Sequence, residues 1–412
     1  MTTINQEHFI TKNANLLILV AALGYFVDVY DLVLFGVVRI DSLKSLGIDN
    51  DIAIGTIGKS LLNYQMIGMM VGGFIWGIIG DKKGRLSVLF GSIIMYSIAN
   101  ILNGYVQTIE QYKILRFIAG IGLAGELGAG ITLVAETMSK EKRGLGTMLV
   151  ASIGVLGAVV ASLIASKFQW RHSYIIGGVM GLLLLIMRIG VHESGMYKQI
   201  VHQEVRRGDL LYLFSKGKLL KKYLLVLAIG MPIWYTIHSY IFFSKEISLA
   251  MGMEETINPK YAIMFNYIGL CIGDICSGAL SQLLQSRKKA ILTFISLIVA
   301  AIFIFFRWGH TSLTAAYLCC GIIGFSTGYW AVFITASAEQ FGTNLRSTVA
   351  TTAPNVVRGS VYLVDIMVSY FAALSSNYIQ GVLITGIFFI GIGLLATFFI
   401  QETFGKNLDF TE

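Results

Sequence analysis

The chain has 412 residues, a formal net charge of +8, 55% hydrophobic and only 13% charged residues, and a mean hydropathy of +0.73. A soluble domain carries roughly a quarter charged residues, so an ordinary water-soluble globule is excluded and a polytopic membrane protein is left. The basic excess does not read as a nucleic-acid footprint, because it falls in alternating loops between apolar runs.

Taken in order, apolar runs lie near 15–38, 60–80, 86–106, 113–136, 145–166 and 173–191. They resume near 222–249, 261–284, 290–308, 313–337, 347–374 and 380–401. Each can form a spanning helix of about 20 residues. The expected architecture is therefore all-α, with twelve transmembrane helices in two six-helix bundles, 1–191 and 222–412. Residues 192–221 form the one long polar connection. It carries Lys198, Arg206, Arg207, Lys216, Lys218 and Lys221, which predicts a cytoplasmic linker. That choice also puts Lys82, Lys83 and Arg85, then Lys140, Lys142 and Arg143, then Arg287, Lys288 and Lys289 inside, with both termini cytoplasmic. The outward loops keep only scattered cations such as Lys44 and Arg171. The first run follows a polar start and continues as a full span, so no cleaved leader is expected. Cys271, Cys276, Cys319 and Cys320 sit in apolar runs without clustered histidines and read as thiols, not as a metal or disulfide set.

The halves repeat. Ala135-Glu136 is followed by Arg143, and Ala338-Glu339 by Arg346, with the same spacing and 203 residues apart. Between the second and third runs, Gly77-Ile-Ile-Gly-Asp81-Lys-Lys-Gly-Arg85 forms a short charged turn where glycines let helix ends approach closely. This turn resembles the loop between the second and third spans of the major facilitator superfamily. Further marks of the resemblance are Arg116 with Ala124-Gly125-Glu126, Trp170-Arg171, Arg188 with Glu193-Ser194, and the Gln401–Leu408 tail. Gly24-Tyr25-Phe-Val-Asp28-Val-Tyr-Asp31 looks like the first span of the metabolite:proton symporters and their organic-ion relatives. The resemblance implies the twelve-span fold, alternating access and a site between the halves. Phosphate and sugar symporters share some of the same strings.

An ionisable group inside a span costs several kcal/mol unless it is paired or lines a wet cavity. Asp28 and Asp31 share one helix face, Asp28 near mid-membrane and Asp31 about one turn further out. Arg116 is expected at the depth of Asp31, and Glu126 back at the midplane. Two acids in a low-dielectric cavity suit proton carriage, so Asp28, Asp31, Arg116 and Glu126 are the proton-coupling candidates. In sugar porters an acid matching Asp31 pairs with an arginine matching Arg116, which implies the same pair here. A static ion pair is the alternative. Arg358 is a lone central arginine whose planar fork suits a carboxylate or phosphate, and Pro354 one turn below frees backbone carbonyls. The substrate-contact candidates are Arg358, Asn355, Tyr25, Trp234, Tyr235, His238 and Tyr329. Asp81, Arg85, Glu136, Arg143, Glu339 and Arg346 sit where helix ends meet and are gating candidates, acids facing helix N-termini.

The expected activity is proton-coupled uptake of a small organic anion across a bacterial inner membrane, by a unit that suffices as a monomer. The expected partners are the substrate, protons and the bilayer, with no cofactor, metal or nucleic acid. Phosphate or sugar symport remains open, as does a non-transporting nutrient receptor. A membrane enzyme is disfavoured because the histidines show no ligand or catalytic spacing. ATP-driven transport is disfavoured because no phosphate-binding loop is present.

Overall fold

The computed structural model describes residues 2–138, 143–188, 210–406, 410 and 412. The side chains of residues 2–17, Glu136 and Arg143 lie outside the description, as does most of the expected linker. Among the described residues there is no strand. Twelve helices are long and apolar enough to cross a membrane. We number these spans one to twelve: Ile18–Ser45, Asp51–Lys83, Arg85–Asn103, Ile109–Ile131, Gly146–Lys167, Trp170–Met187, Gly217–Phe242, Pro259–Leu283, Arg287–Trp308, Leu313–Glu339, Arg346–Ser375 and Tyr378–Phe399.

Local chemistry starts and stops them. Asn50, Thr108, Asn258, Ser286, Ser312 and Asn377 each cap the helix that follows with a side-chain oxygen. Between spans two and three, Gly84 takes φ 96°, which favours glycine and lets Lys83 and Arg85 end one helix and begin the next. Span two begins nine residues before its apolar run (60–80), at the Asn50 cap, with Asp51 and Lys59 bounding the added segment.

Several spans are broken near their middles. Span four is interrupted at Ala124-Gly125, and span ten at Gly328-Tyr329, 204 residues later. Span seven carries Pro232 and ends in a widened π-helical turn, Ile237–Phe242. Spans five and eleven are interrupted at Leu156 and Ser360. Broken backbone is tolerated at membrane depth where protein or a cavity satisfies it. Asp274 of span eight does this for span ten, accepting Ala331 N–H at 3.0 Å.

Spans one to six pack together, as do seven to twelve. The sets meet chiefly where span two lies on span eleven and span five on span eight. At the end of the molecule where the second helix of each half's charged turn begins, near Arg85 and Arg287 (the linker end), Gly73, Gly77 and Gly80 of span two lie against Asn355, Thr348 and Ser347 of span eleven. At the opposite, far end, Arg39 pairs with Glu246 at 2.9 Å and Lys245 with Asp51 at 2.8 Å.

Candidate functional site

The centre of the molecule is built by the broken helices. Trp330, first residue of the second piece of span ten, donates its Nε1–H to the Tyr25 hydroxyl of span one at 2.9 Å. Arg358 of span eleven lies 5.3 Å from the Trp330 ring centroid and 5.7 Å from that of Trp234. Tyr25, Leu32, Trp234, Tyr267, Trp330 and Arg358 help to line a small central void of about 10 Å³, room for about one water. Arg358 is 1% exposed. Its Nη1 donates to Asn355 Oδ1 at 3.2 Å, and its Nε has no hydrogen-bond partner. Asn355 in turn donates to Ala124 O at 2.8 Å, tying span eleven to the break in span four.

Facing this from span one are Asp28 and Asp31, both fully buried, with no hydrogen bond to any of their four carboxylate oxygens. Arg358, Glu126 and Arg188 are charged neighbours of Asp28, and Arg116 and Asp28 are those of Asp31. Arg116 is also buried without a hydrogen bond, its guanidinium held over the rings of Phe35 and Tyr174. Asp31 and Arg116 are thus neighbours without direct contact.

Glu126, one of the proton-coupling candidates, sits in an ion pair. Arg188 grips it with two bonds, 2.9 Å and 2.6 Å, and Ser92 adds a third at 3.1 Å. A planar guanidinium matched to a carboxylate is the strong form of such a pair. Gly24 makes room for it, since a Cβ there would lie 2.0 Å from Arg188 Nη2. Arg188 is a site residue that sequence reasoning left out of its candidate set.

The other candidates separate by direction. Tyr25, Trp234, Asn355 and Arg358 converge on the centre. Tyr235 points away, donating to Val382 O at 2.8 Å and stacking on Phe389. Tyr329 donates to Ile229 O at 2.9 Å, tying span ten to span seven. His238 lies toward the far end, its Nε2 2.9 Å from Asp365 Oδ1. Asp365 also accepts from Asn63 at 3.0 Å and has Lys59 at 3.8 Å.

At the linker end, Asp81 accepts Thr348 N–H at 2.8 Å and the Thr348 hydroxyl at 2.6 Å, so an acid of the first half caps a helix of the second. Arg85 lies 3.6 Å from Asp81 and donates to Gly80 O. In the second half Arg287 pairs with Glu339 at 3.3 Å, and Thr403 donates to the same carboxylate at 2.8 Å. Arg346 is fully buried. Glu136 and Arg143 fall on undescribed side chains. Among the described residues no group of His, Cys, Asp and Glu could hold a metal.

Comparison with known proteins decides the family, because the profile of the Major Facilitator Superfamily matches residues 21–361. The chain belongs to the Major Facilitator Superfamily. This Major Facilitator chain is 22% identical to the niacin transporter NiaP of Acinetobacter baylyi, over 85% of this chain and 86% of that protein. It is 32% identical to the benzoate transport protein of the same organism, over 43% of this chain and 39% of the other. A structure of the proton:xylose symporter XylE matches with a TM-score of 0.74 at 15% identity, covering 97% of this chain and 98% of XylE. The family and fold make this Major Facilitator chain a multi-pass membrane transporter of small molecules and not an enzyme.

Proposed function

We propose that the protein takes up a small organic anion together with protons, by alternating access between its halves, 1–191 and 222–412, joined by the linker 192–221. The observation that carries this reading is the buried Arg358 guanidinium at the meeting point of the halves, opposite the unbonded carboxylates of Asp28 and Asp31. An arginine with a free N–H between two indole rings suits a carboxylate on a compact organic body. Niacin and benzoate, which name two of the relatives, are both monocarboxylates. Two buried acids without hydrogen bonds to their carboxylate oxygens suit a proton taken up with the substrate. Asp31 and Arg116 act as the coupling pair, Asp28 shares the proton, and Glu126 with Arg188 holds the floor beneath them. The basic turns face the cytoplasm, the termini with them, and a single twelve-span unit in the inner membrane is sufficient.

Reconstitution with a pH-sensitive dye inside the liposomes tests this. Benzoate and nicotinate are added outside as one pool, with phosphate, sugars and zwitterions as others. Internal acidification is expected with the carboxylate pool. Arg358→Ala is expected to weaken uptake at least about tenfold, the loss of roughly 1.4 kcal/mol or more of anion binding. Asp31→Asn is expected to abolish acidification while substrate exchange between the two faces persists. Radiolabelled carboxylate entering with no proton would sink the coupling assignment.

A further inference from the structure

Spans two and eleven touch tightly at the linker end and part toward the far end, leaving a cleft of about 680 Å³. Its walls belong to opposite halves. Span two contributes Lys59, Ser60, Asn63 and Tyr64, and span eleven Tyr362 and Asp365. At the back of the cleft Asp365 is held by His238 from its own half, and by Asn63 and Lys59 from the other. The sequence reading left Asp365 without a role and gave His238 one at the substrate.

We propose that His238 and Asp365 form a second proton-binding site, in the half opposite Asp28 and Asp31, whose charge latches the far end of the molecule. The inference rests on the proton-coupled reading above. With the imidazole neutral, the pair carries one negative charge, which draws Lys59 of the first half across the cleft. A proton arriving from water in the cleft makes the pair an imidazolium and a carboxylate, neutral overall. The attraction for Lys59 is then gone and the cleft is free to widen. In this partly buried corner of the cleft such a charge is screened less than in open water.

The surroundings transmit the change. Phe243 contacts the His238 ring at 4.8 Å between centroids, and both Arg39 and Lys59 lie over Phe243, at 4.5 Å and 5.3 Å. Arg39 is the partner of Glu246, a bond that closes the far end between span one and the short helix Ser244–Ala250 that follows span seven. Lys59 also lies over Tyr378 of span twelve, which feels the charges of Glu246, Asp365 and Arg39. The charged and titratable groups facing the pair are therefore Lys59, Arg39, Glu246 and Tyr378.

The test is the distance between spin labels at Ile52→Cys and Leu374→Cys, exposed positions at the far ends of spans two and eleven. The four native cysteines are replaced by alanine, and melting confirms the fold of each variant. In otherwise unaltered protein the long-distance population is expected to rise severalfold from pH 8 to pH 5. Asp365→Asn removes the negative charge and is expected to give the long distribution at both pH values. His238→Gln leaves Asp365 ionised over this range and is expected to give the short distribution at both. A merely structural role would move both variants the same way. Retention of the pH shift in both variants, or its loss in Asp28→Asn but not in these, would overturn the proposal. The liposome assay separates the two readings: silence with every pool would remove proton symport, while the distance shift would still be read in the same protein.

Discussion

At the scale of single residues, the sharpest constraint is the Glu126–Arg188 pair with Gly24 against it. Both charged side chains are at least 98% buried, so neither can fall back on water. Removing one member of a buried pair strands the other charge, at a cost of about 3–5 kcal/mol. Arg188→Ala is therefore expected to lower the melting temperature in detergent far more than the double variant Glu126→Gln/Arg188→Met, which strands no charge. Equal losses would mean that the pair's charge is compensated elsewhere. The candidate acids were legible in the sequence because charges inside apolar runs are conspicuous. Their partners were not. Glu126 and Arg188 are 62 residues apart, and Asp365 and His238 are 127 apart, with no local signal joining them. An aromatic hydroxyl gives even less warning: Tyr25 and Tyr235 look alike in a string, yet one faces the centre and the other span twelve.

At the scale of elements, the twelve helices followed from hydropathy, since a stretch of about 20 apolar residues has few alternatives. Their breaks were harder to read. Gly125 and Gly328 resemble the packing glycines around them, and the offset of 203 marks them only once both breaks are seen. The Gln401–Lys406 tail shows what an element end can do. Glu402 accepts Arg287 N–H at 2.9 Å and Lys288 N–H at 3.2 Å, capping span nine from a segment more than a hundred residues away. Partial burial pulls its carboxyl upward, but bonds from the Ser286 hydroxyl and the Phe404, Arg287 and Lys288 amides outweigh that and hold it below the ordinary 4.5. A carboxyl lowered by folding contributes stability above its unfolded value, and that contribution is lost as the pH falls through the folded one. Glu402→Gln is accordingly expected to melt below wild type at pH 7, with the gap closing as the pH drops below about 4.5. A gap constant with pH would assign the loss to shape instead of charge.

At the scale of the whole molecule, the two ends of the bundle are closed by different means, and alternating access requires that neither closure dominate. The far end is held by ion pairs, Arg39–Glu246 and Lys245–Asp51, beside the partly open cleft at Asp365. At the linker end the described residues show close backbone approach and a trans cap, Asp81 on the first turn of span eleven. Glycines alone fix the approach but not its strength, so the cap sets the balance. A cap of this kind contributes about 1 kcal/mol, and one to two kcal/mol shifts a two-state population by a factor of roughly 5–30. Asp81→Ala should therefore loosen the linker end without unfolding the protein, because the contacts of Gly73 and Gly77 remain. Hydrogen exchange in the segment 350–357, beyond the amides that Asp81 itself bonds, is expected to quicken about fivefold, with the exchange of spans three and nine unchanged. Unaltered exchange there would mean that the glycine contacts close this end by themselves, and that the charge at Asp81 does not govern when it opens.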